Sequence, residues 1–172
     1  MQVSSCDCDP ENDSKSYCVS VNHTYVIAYN NNGIEPVPAR ESEVYGAALV
    51  LELNFDKNIA VCYKKKSNPY VKEAFAMSCR PFDYYKIADS ITHITISADK
   101  AYDADHPAGT ELNEYFKMPD IEEFNNAYDH TSKMMYAIKG PDESGTYVYT
   151  MKVLLADGTF IEASTEPVNI LK

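Results

Sequence analysis

Asp99, Asp103 and Asp105 fall in one short stretch of the chain, with His106 directly after them. Calcium takes several oxygen ligands, and the Asp103-Ala104-Asp105 step can turn two carboxylates toward one ion. The remaining spacing of an EF-hand loop is not met, beginning with its glycine. Aspartates in such a turn also accept backbone hydrogen bonds locally. The stretch is therefore read as a solvated turn in which Asp103 matters little to stability, with Asp103 and Asp105 kept only as calcium candidates. The histidines, His23, His93, His106 and His130, are scattered without metal-ligand spacing. There is no Gly-x-Ser-x-Gly elbow and no His-Glu-x-x-His. Glu122 and Glu123 are adjacent, so on a helix they would point about a hundred degrees apart and not converge on one substrate. No catalytic residue, metal site or cofactor is expected, although an enzyme with a dispersed site stays open because triads assemble in space.

The thiols carry more information. Val3-Ser4-Ser5-Cys6 resembles the end of a bacterial lipoprotein signal, an apolar and small run before the cysteine that receives the lipid. No charged start or apolar run precedes it here, so it is either the surviving end of such a signal, the reading taken forward, or a chance string. Of the five cysteines, lipidation of Cys6 leaves Cys8, Cys18, Cys62 and Cys79. Export would place these in an oxidising compartment, so at least one disulfide is expected among them. Four cysteines allow three connectivities, and buried free thiols are the bland alternative. Cys18–Cys62 with Cys8–Cys79 is the preferred map. Zinc is disfavoured, because Cys6-x-Cys8 lacks the usual separation and no second close pair exists.

The net charge of −11 excludes nucleic acid as a partner, since phosphates need a basic face. The one basic run, Lys64-Lys65-Lys66, reads as a block on edge-to-edge strand pairing. Fourteen tyrosines stand beside no tryptophan. Tyr63, Tyr70, Tyr84, Tyr85, Tyr147 and Tyr149 can either line a binding surface for sugar or protein or fill half-buried strand positions. Asn22-His23-Thr24 matches a glycosylation acceptor, read as incidental.

The elements that must position these groups are mostly strands. Asp7 to Ser16 is polar and without apolar period, a tether rather than a structured element. Tyr17 to Tyr29 alternates, with Val19, Val21, Tyr25 and Ile27 on one phase. Val44 to Phe55 is the next strand, and Asp56-Lys57-Asn58 is read as a turn returning Ile59 to Lys64 as a hairpin partner. Glu73 to Arg80 is a strand or a helical turn, and Ile91 to Ala98 is a strand with Ile94 and Ile96 on one side. Thr110 is placed as the cap of a helix bearing Leu112, Tyr115 and Phe116. Asp120 and Glu123 have capping-box spacing for a second helix bearing Ile121, Phe124 and Tyr128. Met134 to Lys139, Thr146 to Ala156 and Thr159 to Val168 complete the strands, the last two joined by Asp157-Gly158.

No βαβ alternation appears, so a parallel sheet is not expected. The expected fold is all-β: a two-sheet β-sandwich of immunoglobulin or fibronectin outline with a short helical insertion. Residues 1–16 would be the tether and 17–172 the single domain. A chain of 172 residues can bury roughly 70% of its unfolded surface, enough for one core.

Five pieces occur in order: Cys6-x-Cys8, Phe75-Ala76-Met77-Ser78-Cys79, Ile94-x-Ile96-x-Ala98-Asp99-Lys100, His106-Pro107-Ala108-Gly109-Thr110-Glu111-Leu112-Asn113 and Asp157-Gly158. Together they resemble a family of uncharacterised lipoproteins from gut-dwelling Gram-negative anaerobes. The resemblance implies an exported, β-rich protein tethered to a membrane, and carries over no activity. Cys18 and Cys62 are extra to that pattern. The expectation is a non-enzymatic, lipid-anchored protein of the outer membrane, partnered by the membrane through its lipid and by an unknown protein or glycan. A calcium-stabilised adhesion or glycan-binding module is the alternative.

Overall fold

Alternation from Tyr17 onward becomes strand β1 (Ser16–Asn30) in the computed structural model, which describes residues 16–39, 43–63, 84–87, 90–125 and 132–172. Two short strands follow, β2 (Val37–Pro38) and β3 (Val44–Tyr45), then the long β4 (Leu49–Tyr63). Next come β5 (Tyr84–Ile87), β6 (Ile91–Ala98) and β7 (Phe116–Lys117). Helix α1 (Ile121–Asn125) precedes β8 (Ser132–Ala137). The chain closes with β9 (Gly145–Tyr147), β10 (Tyr149–Leu155), β11 (Phe160–Ser164) and β12 (Val168–Leu171). The protein is mostly β, in three sheets with no barrel among the described residues.

The largest sheet runs β2-β1-β4-β8-β7, with β5 added alongside β1. The smaller ones run β11-β10-β6 and β3-β12-β9. Pairing is antiparallel except at β1–β5 and β3–β12, so parallel pairs do occur.

The expected hairpin at Asp56-Lys57-Asn58 is not formed. β4 runs straight through those residues and pairs with β1 from Asn30↔Leu49 to Ser16↔Tyr63. Among the described residues, β8 covers β4 only from Val50 to Asn54, so Asp56 to Asn58 lie beyond it. Turn-forming residues are tolerated there because the cross-strand ladder to β1 continues on one side. The register shifts between Val21 and His23, where Val21 faces Lys57 and His23 faces Asp56. That β-bulge reverses the side-chain phase. Val21 is partly buried against the core, yet beyond the bulge Val26 and Ala28 turn inward while Tyr25 and Ile27 turn out.

The helix expected after Thr110 is likewise absent. Residues Asn113–Tyr115 make one 3-10 turn and Phe116 enters β7. The Thr110 hydroxyl donates back to the Pro107 carbonyl instead of capping forward. The segment is claimed by the free edge of β6. Gly109 and Leu112 amides donate to Ala98 and Ile96 carbonyls, and the Asn113 side chain bonds both the Ile96 amide and the Ile94 carbonyl. These bonds satisfy a strand edge that a helix would leave open. The second helix does form, with Glu123 reaching back to the Asp120 amide, but it lasts only five residues. Its Phe124 is buried edge-on to Phe55.

One hydrophobic core joins all three sheets. The large sheet contributes Val26, Ala28, Leu51, Leu53, Phe55 and Met135; β6 and β10 contribute Ile94, Ile96, Met151 and Val153. Val44, Tyr147, Val168 and Ile170 enter from the third sheet. The Asp157-Gly158 hairpin forms as expected, with Gly158 at φ 86° and Asp157 bonded to the Thr159 amide and hydroxyl. Elsewhere two backbones touch: a Cβ on Gly46 would lie 2.5 Å from the Gly140 Cα.

Candidate functional site

The stretch read as a solvated turn is a bonded cluster. The Asp103 side chain is only 9% exposed. One oxygen accepts from the Asp105 amide at 3.0 Å, the His106 amide at 2.9 Å and the His106 ring Nδ1 at 2.8 Å. The other accepts from the Tyr115 hydroxyl at 2.7 Å and the Lys139 ammonium at 3.0 Å. The backbone bonds are those expected of an aspartate turn. The remaining partners arrive from sequence-distant elements, Tyr115 from the 3-10 turn and Lys139 from just past β8. Tyr102 stacks on Tyr115 and donates to the Lys139 carbonyl at 2.6 Å, locking the floor of the cluster.

This surrounding sets the charges. Bonds from Tyr115, then from His106 and Lys139, hold the Asp103 carboxyl well below the usual carboxylate range. The bond to Asp103 raises His106, and the charges of Asp103 and Glu114 add to it. Tyr115 is pushed up to about 12 by the same carboxylate. His106 Nε2 also meets Glu114 at 2.9 Å, so both ring nitrogens are engaged by carboxylates. A carboxylate at each nitrogen favours the doubly protonated ring, in which both nitrogens donate. Both Asp103 oxygens face donors, the opposite of what a cation requires, and Asp105 bonds the cluster through its backbone amide while its charge adds to the field on His106. No group of three or more metal-ligating side chains occurs among the described residues.

A second arrangement faces solvent. On the side of the large sheet away from the core, a cross-strand row runs Pro38, Tyr29, Val50, Tyr136 and Lys117 over five strands. A parallel row holds Ile27, Glu52 and Met134, and a third holds Tyr25, Asn54 and Ser132. The Tyr29 hydroxyl donates to Glu52 at 2.7 Å, so its ring leans diagonally from β1 onto β4. The Tyr136 hydroxyl points back at the Met134 sulfur, 3.5 Å away, so that ring lies along β8. Val50, between them, is only 1% exposed although it faces outward, whereas Tyr25 and Tyr136 stay 54% and 41% exposed. Burial raises the Glu52 pKa, but bonds from Tyr29, Ser132 and Asn54 outweigh it and keep the carboxylate ionised. Burial, followed by the bond to Glu52, pushes Tyr29 up to about 12.

Residues 22–165 match the family described as Domain of unknown function (DUF5034). The chain belongs to that family. No curated protein and no solved structure matches it. Both the Asp103 cluster and the tyrosine face lie inside the DUF5034 region.

Within this DUF5034 chain the tyrosines expected at a surface divide differently. Tyr147 and Tyr149 are buried at 2% and 0%, stacked on one another. Their strand phase, shared with Met151 and Val153, takes them inward. Tyr70 lies outside the described residues, and Tyr63, Tyr84 and Tyr85 are placed only by backbone, in β4 and β5. The exposed face instead uses Tyr25, Tyr29 and Tyr136, whose outward phase depends on the bulge and on pairing between distant strands. His93 meets Glu111 at 3.5 Å on the surface, His23 is exposed on β1, and His130 lies outside the described residues. The Asp99 carboxylate accepts from the Val148 amide, away from the cluster. Cys6, Cys8 and Cys79 are also outside the described residues. Cys18 pairs in register with Ala60, and Cys62 occupies the bulge opposite the Ser16–Tyr17 step.

Proposed function

We propose that the chain is a non-enzymatic binding module of the cell envelope, tethered through a lipid on Cys6 and engaging its ligand with the outer face of the large sheet. The observation that carries this is the trio Tyr25, Tyr29 and Tyr136 set around an ionised Glu52 on one exposed sheet face. Tyrosine joins apolar area to a polar tip and loses little freedom when it binds, which suits it to recognition. The densest cluster of titratable groups among the described residues, around Asp103, supports the same reading from the other side. His106 is bonded at both nitrogens, and Asp103 is encircled by donors. We read that cluster as a brace for the loops beside β6. The architecture that best accounts for the shared core is a β-sandwich, with the six-stranded sheet facing the two smaller ones. The envelope placement rests on Val3-Ser4-Ser5-Cys6.

Isotope-labelled protein titrated with separated polysaccharide and protein fractions of a bacterial envelope tests the location of binding. Amide shifts should gather at residues 25–29, 50–54 and 132–136. Shifts gathered at residues 103–115, with the sheet face silent, would overturn the assignment.

A further inference from the structure

We propose that the outer sheet face binds a neutral glycan, laid across the row from Pro38 to Lys117. This rests on the binding-module reading and adds the class of ligand. The Tyr29 and Tyr136 rings lie down over the sheet, directed by their bonds to Glu52 and Met134. Strand spacing places those two about 10 Å apart, with Tyr25 about 14 Å from Tyr29 along β1. That footprint spans several sugar rings rather than one. The C–H faces of a pyranose carry partial positive charge and meet the negative face of an aromatic ring.

The polar equipment of the face matches hydroxyls. The Tyr25 ring and its hydroxyl are exposed, and the Tyr29, Tyr136 and Ser132 hydroxyls, which donate within the face, keep oxygen lone pairs that can accept. Glu52 is held ionised by Tyr29, Ser132 and Asn54, and of the roughly four acceptor sites of a carboxylate these leave about one for a ligand hydroxyl. Lys117, in register with Tyr136 at one edge, stands against Glu52 and against the exposed Asp56, which pairs with His23 at the far end of the same face, so the face carries little net charge around the tyrosines. A polyanion is disfavoured further by the net charge of −11. A cationic peptide would meet Asp56 and a Glu52 already bonded to a tyrosine hydroxyl, with a lysine at the rim, and two separated carboxylates give it little to grip beyond what the rings offer a sugar.

Calorimetric titration of the full chain with hexasaccharides of neutral glucan, mannan and xylan tests this, with sulfated glucan and tetralysine alongside. At least one neutral hexasaccharide should bind saturably. Tyr25→Ala, Tyr136→Ala and Glu52→Gln should each weaken it by roughly tenfold. Tyr25 is exposed, so its variant should melt like the parent and keep the test valid if another variant misfolds. Absence of binding by every neutral hexasaccharide overturns the proposal, as does binding that survives all three substitutions or tighter binding of sulfated glucan. Tetralysine binding lost in Glu52→Gln, without glycan binding, overturns the glycan class and leaves the face as a binding surface. Silence of that face in the amide-shift experiment removes the surface itself.

Discussion

Asp103 holds His106 twice with one oxygen, through the backbone amide at 2.9 Å and the ring Nδ1 at 2.8 Å. The ring is thereby fixed in orientation before it meets Glu114, and its T-shaped contact with Tyr115 closes the arrangement. A turn that looks replaceable in the sequence is tied to two other parts of the chain, the 3-10 turn with Glu114 and Tyr115 and the Lys139 ammonium past β8.

The cluster should make stability depend on pH in two directions. Asp103 titrates below its ordinary value of 3.8 when folded, so its contribution is present above that pH and is lost as pH falls through the lowered value. His106 titrates above its ordinary 6.5, so its contribution is full below 6.5 and is lost as pH rises through the raised value. Thermal melting across pH should therefore peak between these limits. His106→Gln should remove the alkaline decline and spare the acid one.

Asp103→Asn should lower the melting temperature at pH 5, contrary to the expectation for a solvated turn. The amide cannot accept equally from His106, Tyr115 and Lys139. Added calcium should leave the melting temperature of the parent unchanged. A calcium-dependent rise that disappears in Asp103→Asn would restore calcium as the ligand of this loop.

Gly46→Ala should destabilise by roughly 1–3 kcal/mol, because backbone rather than a movable side chain blocks the new methyl. Gly33→Ala is the control, since the nearest atom to its Cβ is 3.9 Å away. Chemical denaturation of the two variants checks this. Equal midpoints would show that the 3-10 turn at Gly46 and the loop at Gly140 part easily.

Phe116→Ala should cost roughly 3–5 kcal/mol, since the ring is buried edge-on to Tyr149. The same denaturation series measures it. A loss under about 1 kcal/mol would mean that the site collapses onto the gap.

What was legible in the sequence was local. Ile91 to Ala98 and the Asp157-Gly158 hairpin emerged as read, because alternation and a turn dipeptide determine them within a few residues. The failures at Asp56 to Asn58 and at Thr110 share a cause: a partner strand outweighed local turn or helix preference. The tyrosine face was hidden in the same way. Tyr25 and Ile27 were placed on one phase, but the bulge at Asn22 that sends them outward leaves no composition mark. In the Asp103 cluster, Asp103 and His106 were visible as neighbours, whereas Tyr115 and Lys139 join them only through folding.

Cys6 should be the lipid attachment point. Cells fed a labelled lipid precursor should label the parent and not Cys6→Ala. Equal labelling of both would remove the anchor.

At least one disulfide should form among Cys8, Cys18, Cys62 and Cys79. The β1–β4 pairing keeps the backbones of Cys18 and Cys62 on adjacent strands, the latter at a bulge. Alkylation and mass spectrometry of exported protein, purified without reductant, reads the outcome. Four free thiols would refute the bridge.

The position of β12 bears on how the domain is made. β12 lies between β3 and β9, with Ile170 beside Val44, so this sheet cannot assemble until residues near the end of the domain have emerged. Contacts this distant in sequence slow folding, because the intervening loop must close before any bond rewards it. Until then Val44 and Tyr147 lack their cover, and a nascent chain bears open strand edges able to pair with another. A chain stalled short of Val168 should therefore be a client for chaperones and proteases rather than a smaller working copy.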